Sequence, residues 1–77
     1  MDKKIQKIDF IDALIITTTT DGKQYYRHLY DFPLLWHATD SQRQHYAIGK
    51  WGDDVRWEEI DEDVHISSLT RYAYNIK

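Results

Sequence analysis

Cysteine is absent from this chain, proline occurs once and glycine three times. Without cysteine there are no disulfides and no thiolate metal sites, so two of the usual staples of a short chain are excluded. No stretch approaches the roughly 20 apolar residues of a membrane span. The opening Met-Asp-Lys-Lys-Ile-Gln-Lys lacks the apolar run of a signal peptide. The missing cysteine also fits a reducing compartment, and the combination predicts a cytoplasmic protein with no membrane role. Internal repeats, linkers and low-complexity segments are not found either.

What remains is short and aromatic. The 77 residues predict a single domain, 1–77. A domain of this size buries only about 60% of the surface its unfolded chain exposes. An internal substrate cavity would consume much of that core, which argues against an enzyme. Three Trp, six Tyr and two Phe exceed what so small a core needs, and surplus aromatics favour interfaces, where a polar tip can stay wet. Net charge is only −3, but between Trp51 and Ile66 stand Asp53, Asp54, Glu58, Glu59, Asp61, Glu62 and Asp63 against a single Arg56. Such a segment repels phosphate and suits a basic protein surface, so nucleic acid is the less expected partner.

Along the chain, Ile5, Ile8 and Phe10 form a partly alternating apolar run. Ala13 to Thr20 is rich in β-branched residues and predicts a strand. Its alternation sets Leu14, Ile16 and Thr18 on one face and Ile15, Thr17 and Thr19 on the other. Asp21-Gly22 predicts a two-residue type I′ turn into a return strand, Lys23 to Tyr30. Pro33 suits the first turn of a short helix through Ala38. Thr39 with Gln42 matches a capping box for a second helix up to about His45. Strands are expected over Tyr46–Trp51 and Asp54–Glu58, with Val55 and Trp57 inward and a turn at Gly52-Asp53. Ser67 or Ser68 would cap a last helix reaching Tyr74. Strands and helices without βαβ alternation predict an α+β fold: an antiparallel sheet of about four to five strands with two or three short helices on one face.

Several of these residues fall into a recognisable pattern. Asp21-Gly22, Phe32-Pro33-x-Leu35-x-x-Ala38-Thr39-x-x-Gln42-Arg43 and Val55-x-Trp57-x-x-Ile60-Asp61-Glu62-Asp63-Val64 together resemble the family called domain of unknown function 2442. The likeness spans residues 13 to 70. It departs at Leu34, where Arg is usual, and at Tyr46, where Trp is common. The resemblance implies a small α+β sheet fold in bacterial and phage-borne proteins. Some members are encoded beside a small toxin-like protein and are suspected antitoxins. No catalytic residues are established for the family, so none carry over.

Chemical constellations are sparse. Asp61-Glu62-Asp63 with His65 offers oxygen ligands of the kind hard cations use, but without ligand spacing or a loop glycine it reads as a turn, with Asp63 bonding backbone amides. His28, His37, His45 and His65 follow no metal or triad spacing, and no nucleophile elbow is present. No cofactor, metal or catalytic residue is therefore expected. Trp57, Trp36 and Leu35 are expected in the core, whereas Tyr26, Tyr30 and Trp51 cannot all fit there.

The expected function is a protein-binding module, antitoxin-like or inhibitor-like, that docks a basic partner through an acidic and aromatic surface. The residues expected to carry it are Tyr26, Trp51, Asp53, Asp54, Glu58, Glu59, Asp61 and Glu62. One alternative is a nucleic-acid-binding or transcriptional module using Lys3, Lys4, Lys7, Lys23 and Arg27. Another is a homodimeric structural domain.

Overall fold

The computed structural model describes residues 3–75. In chain order it contains β1 (Ile5–Ile11), β2 (Leu14–Thr19), β3 (Gln24–His28), α1 (Pro33–Trp36), α2 (Asp40–Gln44), β4 (Ala47–Ile48), β5 (Asp54–Trp57), β6 (Glu62–His65), α3 (Ile66–Leu69) and β7 (Tyr72–Ala73). Two 3₁₀ turns, Leu29–Asp31 and Glu58–Ile60, link neighbouring elements. The class is α+β and all pairing is antiparallel, as the sequence predicts. The strands, however, divide between two sheets, ordered β1-β2-β3-β7 and β4-β5-β6.

The first strand explains an awkward spacing. Ile5 and Ile8 are three residues apart, so regular alternation would send them to opposite faces. A bulge between Ile5 and Lys7 resets the register, pairing Ile5 with Thr19 and Ile8 with Thr17. Both isoleucines thereby reach the core, at 4% and 2% exposure. A two-residue turn follows, in which Asp12 takes a left-handed φ of 54°, a conformation Asp tolerates better than most residues.

The β2–β3 connection differs from expectation. Thr18 pairs with Gln24, and Thr19 N–H donates to Lys23 C=O at 2.9 Å, leaving a three-residue loop, Thr20 to Gly22. Gly22 N–H closes a turn onto Thr19 C=O at 2.9 Å, and Gly22 has the loop's positive φ, 84°. This is a type I turn followed by a left-handed glycine rather than type I′. The extra loop residue shifts the register by one, which sets the face of every residue on β3.

Pro33 opens α1, and Thr39 makes both bonds of the capping box with Gln42, as expected. Arg43 then ties the two helices together. Its Nη2 donates to Trp36 C=O at 2.8 Å, a carbonyl at the end of α1, and its Nε to Leu35 C=O at 2.9 Å, which also accepts Ala38 N–H at 3.2 Å. Trp36 itself is 43% exposed and outside the core, contrary to expectation. In so short a helix only Leu35 turns inward. The strand expected over Tyr46–Trp51 is trimmed to Ala47–Ile48, because a turn begins at Gly49. The last helix starts at Ile66 and ends at Leu69, after which Tyr72–Ala73 pairs with β3. Its cap is His65, whose Nδ1 accepts Ser67 N–H at 3.1 Å, in place of Ser67 or Ser68.

Ile5, Ile8, Ile15, Leu29, Leu35, Val55, Trp57, Val64 and Leu69 form one core, flanked by Phe10, Phe32, Tyr46, Ile48, Ile60 and Ile66. Val55 and Trp57 point inward, as the alternation predicts. The buried Trp57 indole N–H donates to Arg43 C=O at 2.9 Å. Tyr46 joins the sheets: its hydroxyl accepts Ile8 N–H at 3.0 Å and donates to Ile8 C=O at 3.1 Å. That bond pair also closes backbone groups on the edge strand β1, where they would otherwise invite another strand. Among the described residues no helix is long and apolar enough to cross a membrane.

Candidate functional site

Six of the eight residues singled out in the sequence lie on or beside the β5–β6 hairpin; Trp51 and Tyr26 do not belong to its strands. The hairpin is organised by Arg56. Its Nε donates to Glu58 Oε1 at 2.7 Å, its Nη2 to Asp61 Oδ1 at 2.6 Å and its Nη1 to Asp63 Oδ2 at 2.7 Å. A guanidinium presents a rigid fork of donors, so one residue can hold three carboxylates in fixed positions. The hydrogen bonds to Glu58 and Asp61, with the nearby charge of Asp63, raise the Arg56 pKa further above its ordinary value. Asp61 sits at a left-handed φ of 53°, which turns the chain back toward Arg56 after the Glu58–Ile60 turn. Asp63 accordingly accepts from a side chain rather than from backbone amides. The guanidinium occupies the centre of this acid cluster, and among the described residues no group of His, Asp and Glu is arranged to hold a metal ion.

One positive charge against three carboxylates leaves the hairpin acidic. Glu59 accepts a hydrogen bond from Gln42 Nε2 at 3.2 Å, and Glu62 accepts Asp63 N–H at 3.2 Å; neither gains a countercharge in these bonds. The Asp54 carboxylate lies flush against Gly49, where a Cβ would overlap it. Asp53 is different, because Lys4 Nζ donates to it at 3.0 Å.

Trp51 projects from the β4–β5 loop and is 70% exposed, with Lys50 Nζ 5.1 Å from its ring centre. The loop carrying it is held firmly. Gly52 C=O accepts Ile5 N–H at 2.8 Å, Asp53 C=O accepts Ile66 N–H at 2.7 Å, and Gly52 N–H bonds Gly49 C=O at 2.9 Å. Gly52 has φ 73°, and a Cβ there would approach Lys4 Cβ to 2.8 Å. Glycine is thus required both for the turn and for the close approach of β1.

Tyr26 belongs to a second surface, on the outer side of the four-stranded sheet. Residues directly opposite on neighbouring strands share a face. The register therefore lines up Asp9, Ile16, Tyr26 and Tyr72 in one row and Ile11, Leu14 and His28 in the next. Ring contacts run across these rows without a break. Tyr26 meets Tyr72 at 5.5 Å, Tyr74 at 6.3 Å and His28 at 5.9 Å between centroids. His28 stacks on Tyr30 at 4.9 Å, and Tyr30 meets Trp36 edge-on at 6.1 Å. Sequence reasoning singled out Tyr26 but not the ladder. The alternation Tyr26, His28, Tyr30 was the available signal; Trp36 and Tyr72 join only through tertiary structure.

Two open depressions flank these surfaces. One, of about 740 Å³, is lined by Gly22 to Tyr25 and Ala73 to Asn75; the other, of about 590 Å³, lies among Lys3, Lys4, Asp21, Asp53, Ile66, Ser67 and Thr70. In the second, Ser67 Oγ lies 2.9 Å from His65 Nδ1, a nitrogen already engaged by the Ser67 N–H as the helix cap. At the sheet tip, the Thr19 hydroxyl donates to Asp21 Oδ1 at 2.5 Å and Lys23 N–H donates to the same oxygen at 3.2 Å. Both bonds favour the ionised form, and the Thr19 bond most strongly holds the Asp21 carboxyl below its ordinary value.

Comparison with known proteins adds a family and no activity. No match was found among curated proteins, nor among solved structures. The motifs around Phe32-Pro33, Thr39 and Trp57 lie within a family match covering residues 5–75, and the chain belongs to that family, described as proteins of unknown function (DUF2442).

Proposed function

We propose that this chain is a small cytoplasmic protein-binding module, antitoxin-like or inhibitor-like, that docks a basic partner protein through the β5–β6 hairpin and the Trp51 loop. The observation that carries this reading is the Arg56 clasp. Three carboxylates are fixed at 2.6–2.7 Å around one guanidinium, so an acidic surface is rigid before any partner arrives. Pre-ordered charge steers association and fixes register at little entropic cost. Trp51, exposed on a loop anchored at Gly52 and Asp53, supplies the aromatic anchor that interfaces favour. Asp54, Glu59 and Glu62 add charge beyond the clasp. Phosphate would be repelled by the same surface, which disfavours the nucleic-acid alternative.

The test leaves the clasp intact. Affinity capture from cells that carry the gene is compared for the native protein, Glu59→Lys combined with Asp54→Asn, and Trp51→Ala. The expected result is a basic protein that is retained by the native chain, released by moderate salt and lost with both variants. A captured partner that binds all three proteins alike would sink the assignment. A salt-sensitive gel shift with generic DNA or RNA would instead favour the nucleic-acid reading.

A further inference from the structure

The outer face of the four-stranded sheet is unlike the rest of the surface. Six large apolar side chains are left exposed among the described residues; four of them, Ile11, Tyr30, Trp36 and Tyr72, lie on this face or on its aromatic ladder, and the other two are Leu34 and Trp51. Ile16 is only 1% exposed although it points to this side, away from the main core. A patch that is contiguous, aromatic and already sheltering a buried aliphatic residue has the character of an interface.

From its charge and shape we infer that this face binds a second copy of the same chain. In a two-fold dimer each patch meets itself, so a patch of one charge sign would repel its own copy. The acidic hairpin fails that condition. The sheet face meets it: a third row, Lys7, Thr18 and Gln24, lies beside that of Asp9, and the charged residues of these rows are Lys7 and Asp9, of opposite sign and 3.5 Å apart. A dyad brings Lys7 of each copy within reach of Asp9 of the other, while the rings pack between. A basic protein or a nucleic acid would find no complementary excess of charge here. Four strands at their usual spacing, extended by Tyr30 and Trp36, present roughly 600 Å². That is somewhat below the ~800 Å² per partner of a standard specific interface. A dimer of that size belongs to the weak, reversible class of associations.

Sedimentation of the full chain over a range of concentrations reads this directly. The mass should rise from 9.3 kDa toward twice that value. Lys7→Glu and Asp9→Lys, both at solvent-accessible side chains, should each weaken association at least ~10-fold. An equimolar mixture of the two variants should recover the dimer, because each supplies the sign the other lacks. Tyr30→Glu should weaken it as well, and Trp51→Ala, on the other surface, should leave it unchanged. Circular dichroism identical to the native spectrum ensures that each variant is folded. A native monomer at ~1 mM, or a dimer indifferent to Lys7→Glu, Asp9→Lys and Tyr30→Glu, overturns the inference. So does a folded monomer that uses the same rings to bind a single-stranded oligonucleotide.

Discussion

The acidic hairpin and the aromatic sheet face are both exposed, yet they spend their side chains in opposite ways. On the hairpin the exposed groups are charged, and their geometry is set by one arginine reaching Glu58, Asp61 and Asp63. On the sheet the rings of Tyr26, His28, Tyr30, Trp36 and Tyr72 touch one another and roof Ile16 against water. A charged surface of the first kind acts over distance and weakens with salt. The aromatic surface acts only on contact, and the Lys7–Asp9 pair at its edge is the part of it that salt weakens. The two therefore suit different partners, and a single variant should disturb one without the other.

The largest expected effect falls on the sheet face. Ile16→Ala removes a buried aliphatic side chain beneath the rings and should cost about 2–4 kcal/mol in urea denaturation. If the rings were merely solvated and splayed, the loss would stay under about 1 kcal/mol, as for ordinary surface substitutions. Such a small value would erase the contrast between the two surfaces. A value in the higher range establishes the sheet as carrying a satellite core on its outer side.

A smaller and differently conditioned effect belongs to the hairpin. Arg56→Met leaves Glu58, Asp61 and Asp63 to repel one another without their shared donor. The denaturation midpoint should fall by less than for Ile16→Ala, since exposed ion pairs contribute modestly. The deficit should shrink as salt rises, because screening relieves the repulsion that the substitution uncovers. A deficit that does not change with salt would mean that Arg56 acts by packing its aliphatic stem rather than by charge.

The two surfaces were not equally legible in the sequence. The acidic run announces itself by composition, with Arg56 the one basic residue within it, but the clasp does not, and Asp63 was expected on backbone amides rather than on Arg56. What composition cannot give is the left-handed Asp61 that turns the chain back toward Arg56. The capping box at Thr39 and the inward Val55 and Trp57 were readable because caps and alternation are local. Ile5 and Ile8 were readable as apolar but not as same-sided, since the bulge that reconciles them depends on pairing with β2. The ladder was least legible. Tyr72 reaches Tyr26 only because β7 closes the sheet from the far end of the chain, and a loop of three rather than two residues at Asp21-Gly22 decides which way Tyr26 faces.

That loop supports the smallest of these effects. Asp21 accepts from the Thr19 hydroxyl and from Lys23 N–H, and its carboxyl is held below the ordinary value. A lowered folded-state pKa means that the unfolded chain binds the proton more readily. Asp21 thus contributes stability above the unfolded pKa of about 3.9, and that contribution is lost as pH falls through the lower folded value. Asp21→Asn keeps an acceptor oxygen but no charge. The native protein should exceed this variant in stability near neutral pH, with the difference closing in acid. Amide exchange at Gly22 and Lys23 should register the change before the global transition does, because the turn lies at an exposed tip. Equal pH profiles for the two proteins would show that the hydrogen bonds, and not the charge, hold the loop. The register that places Tyr26 on the aromatic face would then rest on those hydrogen bonds and the Gly22 turn, with no part played by the Asp21 charge.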